Sequence, residues 1–438
     1  MTTTHRLHGP GTGTTRGPRH AATCALLALL PLTALAQSVE VQVGTHDIRD
    51  FEFDWGRDGS DCPSCNAGAG NARLAYIDAR ARLWVGDVDP ASGDFVPSNG
   101  RGQLVDSNTA TASQIGNGPE WMLSQSGSQL VYTRWTDDKP HTVPYIQLGY
   151  ARMDGDAWIA GAVPGSRGRV LPVGSQDQAD PAAAMHYQSL TLQPTTSMFW
   201  RGAYPGAGEA SIPFSGDNGG MTRRWVPGTR DVIITAPTDA VTAPAGAAAQ
   251  AAAPAWRQVY LYHTRTGTLE QLTFDPVDKL WAFMWAAPEF DNELVFVAVI
   301  DNRRLDVYRN FPQPDGSADW QVVKSIATPV ETPYVSSPEP FVYNGASWIF
   351  FSLCSDPNGR AFTEPSLIAL SGVDPGTNTL RLLTSATDPP RQRRDPEYFI
   401  SANGAYIYYN RYWLETDARP ALSEGVFRVD TGLGPPLP

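Results

Sequence analysis

The sequence predicts an all-β fold built from many short strands. The chain has 438 residues, of which 42% are hydrophobic and only 18% are charged, so it can bury a large core. Its 40 glycines and 37 prolines favour frequent turns over long helices. The low charge and the content of 13 Trp, 16 Tyr and 16 Phe exclude a disordered or coiled-coil protein.

A short phrase recurs along the chain and sets a period. Pro-Glu followed by an aromatic residue occurs at 119–121, 288–290 and 396–398, and Pro-Glu-Pro-Phe occurs at 338–341. Turn signals such as Asn403-Gly404 then lead into β-rich runs, which is the pattern of a hairpin. These anchors indicate seven units of about 57 residues. The predicted units begin near Phe53, Glu120, Asp180, Arg224, Glu289, Glu339 and Glu397.

Four-stranded units at this period predict a single β-propeller. Seven blades are favoured, with six or eight as alternatives. The last unit ends with its third strand at Gly425–Val429, whereas the alternating segment Val39–Val43 precedes the first unit. We therefore expect the N-terminal strand to complete the last blade and close the ring. The Ala- and Pro-rich segment 243–255 is interpreted as a flexible insertion within one blade, so residues 37–438 are expected to form one domain.

Residues 1–36 have the features of a secretory signal peptide. Three arginines precede an apolar run from Ala21 to Leu35, and the sequence Ala34-Leu35-Ala36 predicts cleavage before Gln37. The run is too short to cross a bilayer of about 30 Å. We therefore expect a secreted or periplasmic protein with no integral membrane segment.

The charge of the chain limits its partners. The predicted leader contains three arginines and no acidic residue, so its removal changes the formal charge from −12 to −15. Phosphate backbones are bound by clustered Lys and Arg, and an acidic surface lacks them. The sequence therefore predicts no nucleic-acid partner.

Three cysteines follow the predicted leader. In an exported protein, the spacing of Cys62 and Cys65 favours a local disulfide, and Cys354 is expected to be buried and free. A metal site and a redox pair are the alternatives for Cys62 and Cys65. A metal site needs further ligands, and a redox pair normally lies at a helix N-terminus.

The segment LYHTRTGTLEQLTFDP at residues 261–276 resembles the repeats of TolB-type, WD40-like β-propellers of the periplasm. This resemblance implies a fold and not an activity. A second resemblance concerns Asp395-Pro396-Glu397-Tyr398, which is similar to the start of an inner strand in five-bladed propeller glycosidases. In those enzymes the aspartate is a general base, which implies a catalytic role for Asp395.

Residues that start the inner strands of a propeller converge at one end of its central channel. We expect a funnel there that binds a carbohydrate or a protein ligand. The candidate ligand-binding residues are Glu120, Trp121, Asp180, His186, Arg224 and Glu289.

A carbohydrate-active hydrolase or lyase is the alternative function, with Glu339, Glu397 and Asp395 as its catalytic carboxylates. The same carboxylates are candidate ligands for a calcium ion, and no other cofactor is predicted. In the structural alternative, each glutamate accepts backbone N–H bonds at its own strand, the aromatic residues pack between blades, and His186 belongs to the core.

Overall fold

The computed structural model describes most of the chain that follows the predicted leader. The described residues are 39–55, 72–96, 99–111, 114–137, 141–142, 145–177, 183–190, 196–201, 209–214, 222–241, 256–357, 362–377 and 379–437. Several sequence predictions lie outside them, namely the signal peptide at 1–36, the Cys62–Cys65 disulfide, the insertion at 243–255 and the side chain of Asp180.

The described strands form seven four-stranded antiparallel sheets, which we number in chain order. Sheet 1 comprises β2 (Ile48–Phe53), β3 (Arg73–Asp78), β4 (Leu83–Asp87) and β5 (Gln103–Asp106). Sheet 2 comprises β6 (Glu120–Ser124), β7 (Gly127–Trp135), β8 (Ile146–Asp154) and β9 (Ala157–Ala162). Sheet 3 comprises β10 (Arg169–Gly174), β11 (Ala184–Ser189), β12 (Thr196–Arg201) and β13 (Glu209–Ser211). Sheet 4 comprises β14 (Thr222–Trp225), β15 (Asp231–Pro237), β16 (Arg257–His263) and β17 (Thr268–Gln271).

The remaining sheets follow the same plan. Sheet 5 comprises β18 (Lys279–Ala287), β19 (Glu293–Ile300), β20 (Arg304–Asn310) and β21 (Trp320–Ala327). Sheet 6 comprises β22 (Tyr334–Tyr343), β23 (Ala346–Cys354), β24 (Ser366–Gly372) and β25 (Arg381–Leu382). Sheet 7 comprises β26 (Arg391–Ser401), β27 (Gly404–Trp413), β28 (Leu422–Asp430) and β1 (Val41–Gln42). Short 3₁₀ turns occur at Thr238–Ala240 and Pro288–Phe290, and no α-helix occurs in the described ranges.

Apolar clusters connect the sheets in a cyclic order. One cluster lies between sheets 1 and 2, and others join 2 to 3, 3 to 4, 4 to 5, 5 to 6 and 6 to 7. A further cluster joins sheet 7 back to sheet 1 and includes Phe53, Phe399 and Tyr408. The Phe53 and Phe399 rings stack there with their centroids 4.9 Å apart. Burying each such side chain contributes about 1.5–3 kcal/mol, so every sheet depends on two neighbours.

Strand β1 is held by side chains as well as by its ladder. It pairs with β28 at Val41 and Gln42. The neighbouring residue Glu40 accepts two hydrogen bonds of 2.8 Å from the buried Arg393 and one of 2.7 Å from the Tyr409 hydroxyl. Burial raises the pKa of Glu40, but the hydrogen bonds and charge of Arg393 outweigh it, so the pKa lies below its ordinary value. The ionised pair therefore fixes the start of the described chain to sheet 7.

Two of the predicted unit starts are wrong. The first strand of sheet 3 is β10, which ends at Gly174, so Asp180 follows it in the chain. The first strand of sheet 5 is β18, which begins at Lys279, so Glu289 lies in the 3₁₀ turn between the first two strands of that sheet. Pro288 occupies the start of that turn, where its missing N–H is tolerated. The same Pro-Glu-aromatic letters therefore encode a strand in some sheets and a turn in this one.

No helix in the described part of the chain is long and apolar enough to cross a membrane.

We expect Glu40→Ala to lower the free energy of unfolding by about 3–5 kcal/mol, because it leaves the buried Arg393 guanidinium without its carboxylate partner. Urea unfolding followed by tryptophan fluorescence measures the change. Glu331→Ala, at an exposed position, is the control and should change the free energy by less than about 0.5 kcal/mol. Equal effects of the two substitutions would show that Glu40 does not anchor the N-terminal strand.

Candidate functional site

A cavity of about 1110 Å³ lies where the first strands of the seven sheets meet. We call these first strands, β2, β6, β10, β14, β18, β22 and β26, the inner strands. Each contributes one side chain at an equivalent register to the cavity lining. These residues are Glu52, Glu120, Val173, Arg224, Phe283, Glu339 and Glu397.

A local backbone feature places these side chains. Five inner strands contain a register shift and a residue with positive φ two positions before the cavity residue. These residues are Asp50 (35°), Leu171 (54°), Trp281 (53°), Ser337 (47°) and Asp395 (48°). Gly118, with φ of 90°, has the same spacing before Glu120. Left-handed backbone costs about 1–2 kcal/mol for a non-glycine residue, so the sheets maintain a strained bulge that turns each following side chain toward the cavity.

The order of the sheets separates the cavity wall into two arcs. Glu339, Glu397, Glu52 and Glu120 come from the consecutive sheets 6, 7, 1 and 2, and we call them the carboxyl arc. Val173, Arg224 and Phe283 come from sheets 3, 4 and 5 and form the opposite arc. Arg224 is in the middle of that arc and faces the carboxyl groups across the cavity.

Burial and repulsion from neighbouring carboxylates raise the pKa of all four carboxyl groups. Burial raises the pKa of Glu120 to about 7. The charge of Arg224 opposes this increase, and the charge of Glu339 adds to it. Burial likewise raises the pKa of Glu339 to about 7. The charge of Arg224 opposes this increase, and the charge of Asp395 adds to it. The pKa values of Glu52 and Glu397 lie well above the ordinary range, because burial and the neighbouring glutamates both disfavour their ionised forms. The arc therefore retains protons near neutral pH.

Burial is opposed in part by the neighbouring Glu52 side chain, which lowers the pKa of Glu120. The Asn117 side chain supports the same group, because its Nδ2 donates to Glu120 Oε1 at 3.1 Å and to the Pro172 carbonyl at 2.8 Å.

The opposite arc presents cations and an imidazole. The Arg224 guanidinium lies 5.0 Å from the centroid of the Phe283 ring and donates to the Arg223 carbonyl at 3.1 Å. Burial and the charge of Arg224 lower the pKa of Arg223 to about 10. His186 lines the cavity beside them and stacks on Trp225 with ring centroids 5.7 Å apart.

His186 is only 1% exposed, and neither of its ring nitrogens has a hydrogen-bond partner among the described residues. Burial and the two arginines lower its pKa well below the ordinary value, so the ring is neutral at physiological pH. A neutral imidazole offers one donor and one acceptor. Buried polar groups are nearly always paired, so these two unpaired nitrogens are exceptions among the described residues.

The structure brings together most of the residues singled out in the sequence. The cavity is lined by Glu120, His186, Arg224, Glu339, Asp395 and Glu397. Their roles in binding or catalysis remain predictions, and Asp180 lies outside the described residues.

Two predicted residues lie outside the cavity lining. Trp121 is buried between sheets 1 and 2, where its Nε1 donates to the Glu52 carbonyl at 3.1 Å. Glu289 accepts hydrogen bonds from the Ser347 backbone N–H and, at 2.7 Å, from the Ser347 hydroxyl. The expectation that Glu289 joins the other glutamates around one funnel is therefore wrong, because its side chain links sheet 5 to sheet 6.

Sequence reasoning missed Glu52, which occupies the position expected for a fourth glutamate. A signal for it exists, since Asp50-Phe51-Glu52-Phe53 has the same Asp-x-Glu-aromatic pattern as Asp395-Pro396-Glu397-Tyr398. Glu52 does not match the Pro-Glu pattern, because a phenylalanine replaces the proline. Phe283 and Arg223 carry no comparable motif.

The cavity carboxyls do not form a recognisable metal site. Among the residues that the structure describes, no group of three or more His, Cys, Asp or Glu side chains has an arrangement that could hold a metal ion.

Elsewhere, Cys354 is buried and free, and burial raises the pKa of its thiol to about 11.

Comparison with solved structures identifies the fold. The structure is similar to the β-propeller domain of Swd1 from Myceliophteria thermophila, with a TM-score of 0.50 and 8% sequence identity over 90% of this chain and 99% of that one. At this identity the likeness shows the fold alone, and the predicted all-β propeller fold is confirmed.

Two weaker similarities concern other propeller proteins. Trypanosoma rangeli sialidase matches with a TM-score of 0.42 and 10% identity over 77% of this chain and 57% of that one. TolB from Acinetobacter baumannii matches with a TM-score of 0.34 and 13% identity over 83% and 77%. No sequence model of a known family matches the chain, and no curated protein matches it significantly.

The carboxyl arc predicts a distinctive pH dependence of stability. Because the pKa of Glu120 is raised from 4.5 to about 7, its contribution to stability is fully present below pH 4.5 and is lost as the pH rises through 7. Glutamine at this position does not titrate. We therefore expect Glu120→Gln to gain stability relative to the wild-type protein as the pH rises from about 4.5 to 8, in urea unfolding at several pH values.

Gln114→Ala, a non-titrating change at a residue that lines the same cavity, is the control and should differ from the wild-type protein by a constant amount at every pH. A constant difference for Glu120→Gln as well would show that this carboxyl group titrates normally.

Proposed function

We propose that the protein is an exported, seven-bladed β-propeller that binds a small hydrophilic ligand in its central cavity. Export is supported by the leader at residues 1–36. A closed ring of seven blades, formed by residues 37–438, is supported by the seven sheets, the pairing of β1 with β28 and the cyclic order of the apolar clusters.

The observation that carries the binding function is the polar lining of the cavity. Six carboxyl groups, five arginines and the buried imidazole of His186 line a space of about 1110 Å³. Burying charged groups is costly for folding, and the two ring nitrogens of His186 have no partner among the described residues. The volume is of the order of natural ligand pockets, which span about 300–1000 Å³.

The aromatic side chains of Trp281 and Phe283 contribute to the same wall. They provide flat apolar surface beside the charged groups. This combination suits a ligand with both polar groups and a carbon framework, and it favours a small molecule over an isolated ion.

Thermal denaturation in the presence of sugars, amino acids, organic acids and organic amines tests this function. Because a ligand that binds only the native state stabilises it, we expect at least one of these classes to raise the melting temperature. The increase should be much smaller for the double variant Glu339→Gln/Glu397→Gln.

Glu289→Gln, which changes a glutamate outside the cavity lining, is the matched control and should keep the full ligand-induced increase. The proposal fails if no class of compound raises the melting temperature, or if the double variant responds as the wild-type protein does.

A second candidate function is hydrolysis or elimination at a glycosidic linkage. The observation that favours it is the pKa of about 7 for Glu339, which lines the cavity together with Glu397 of the next sheet and with Asp395, two residues before Glu397 in β26. A carboxyl group with this pKa donates and accepts protons efficiently at neutral pH. Glu339 would then act as the general acid, with Glu397 or Asp395 as the second carboxylate.

Release of reducing ends or unsaturated products from a panel of polysaccharides tests the second candidate. Removing a general acid or base typically costs about 10²–10⁴ in rate. We therefore expect Glu339→Gln and Glu397→Gln to abolish turnover at neutral pH, while Glu289→Gln retains it. The hydrolase or lyase candidate is rejected if no polysaccharide is cleaved, or if both cavity variants remain active.

A further inference from the structure

The carboxyl arc shares its cavity with five arginines, Arg49, Arg80, Arg223, Arg224 and Arg394. Arg224 is the cation whose charge reaches all four of its members. Other arginines line the cavity, but Arg49 donates to the His46 carbonyl and Arg394 lies over the Phe362 ring at 4.3 Å. Burial is the largest cause of the raised pKa values of the four glutamates, and repulsion from neighbouring carboxyl groups adds to it. A cationic ligand beside the arc would relieve that repulsion.

We propose that the natural ligand is an organic compound with two or more ammonium groups, which lie against the carboxyl arc and displace its protons. This inference rests on the proposed ligand-binding function and names the chemical class of the ligand. The displaced protons pass to the solvent, and no covalent bond changes. The ammonium N–H groups replace the carboxyl O–H groups as hydrogen-bond donors within the arc.

Three observations favour an organic cation over a metal ion. The described residues include no group arranged as metal ligands. The cavity volume of about 1110 Å³ is far larger than a single ion, and Trp281 and Phe283 offer aromatic surface to a carbon framework or a cation.

His186 supplies an independent observation. The residue belongs to the cavity lining on the wall opposite the carboxyl arc, and its two buried nitrogens have no hydrogen-bond partner among the described residues. Hydroxyl or amide groups of the same ligand can pair with them. The arrangement therefore fits a compound whose charged end meets the glutamates and whose neutral polar part reaches the imidazole.

The sign of the pH dependence follows from linkage. A cationic ligand favours ionised carboxyls, so binding releases protons when the arc is partly protonated, and affinity increases as the pH rises from 6 to 8. The titratable and charged groups that line the cavity around the arc are Arg49, Asp50, Arg80, His141, His186, Arg223, Arg224, Arg394, Asp395 and Tyr412. Among the groups with a shifted pKa, His186 is held neutral and Arg223 keeps its charge throughout this range.

Isothermal titration calorimetry with spermidine provides the test, since this amine stays protonated over the whole range. Titrations at pH 7 in PIPES and HEPES, which have different protonation enthalpies, measure the number of protons released. We expect net proton release and an affinity at least tenfold higher than for triethylene glycol, a neutral chain of similar length. Affinity should increase between pH 6 and pH 8.

A second pair of probes distinguishes sugar amines from open-chain amines. The glucosamine trisaccharide and its N-acetylated counterpart differ in the charge of their nitrogen groups and in the added acetyl groups. Tighter binding of the charged sugar than of spermidine would assign the ligand to amino sugars, and the reverse would assign it to open-chain polyamines. Both results support the inference.

Glu120→Gln removes one arc carboxyl with little change in shape, and we expect it to weaken spermidine binding about tenfold and to reduce proton release. Glu289→Gln is the control and should bind as the wild-type protein does. Because the proton release is measured on the wild-type protein, the test does not depend on the folding of a variant.

The inference is overturned if the N-acetylated trisaccharide binds at least as well as the charged probes, if binding releases no protons, or if calcium chloride binds more tightly than any amine. In the first case the ligand-binding function itself stands. If no compound of any class binds, the proposed function fails together with the inference.

Discussion

The bulge in the inner strands is the constraint on which the cavity depends. At five inner strands a non-glycine residue adopts left-handed backbone, and the side chain two positions later lines the cavity. A regular strand would alternate its side chains without this adjustment, and the arc would be distributed differently between the cavity and the sheet interfaces. Leu171 and Trp281 are large residues in this conformation, so the sheets around them supply the stability that maintains it.

The bulge repeats, but the side chain that follows it differs from sheet to sheet. Four consecutive sheets present a carboxyl group and three present an apolar or cationic group. A symmetric ring of seven carboxyl groups would repel itself strongly, whereas the observed division places Arg224 opposite the four glutamates. The electrostatic character of the site therefore comes from variation among repeats, and the shape of the site comes from their similarity.

The all-β architecture could be predicted because turn residues and alternating strands are local signals. Gly404 and Tyr406–Tyr409, for example, appear in the structure as the start of β27, as the hairpin pattern indicates. The register of the cavity residues could be predicted only in part, because it depends on whether a given Pro-Glu lies within a strand or after it. Glu339 and Glu397 lie within inner strands, whereas Glu289 lies in a turn and contacts Ser347.

Other features of the site arise from packing that no short motif encodes. The neutral state of His186 results from its burial beside Arg223 and Arg224, which are 37 and 38 residues away in the chain. The raised pKa of Glu52 depends on glutamates in three other sheets. Sequence spacing suggests that such groups converge, but the depth of burial and the distances that set their ionisation require the assembled fold.

The chemistry of the cavity depends on carboxyl groups that remain partly protonated near neutral pH. Nuclear magnetic resonance of the protein labelled with ¹³C at the glutamate carboxyl carbons measures this directly. Four resonances that are lost or altered in Glu52→Gln, Glu120→Gln, Glu339→Gln and Glu397→Gln should titrate well above the ordinary range of glutamate, with Glu120 and Glu339 near pH 7. Titration of all four resonances at the ordinary pKa of about 4.3 would contradict the account.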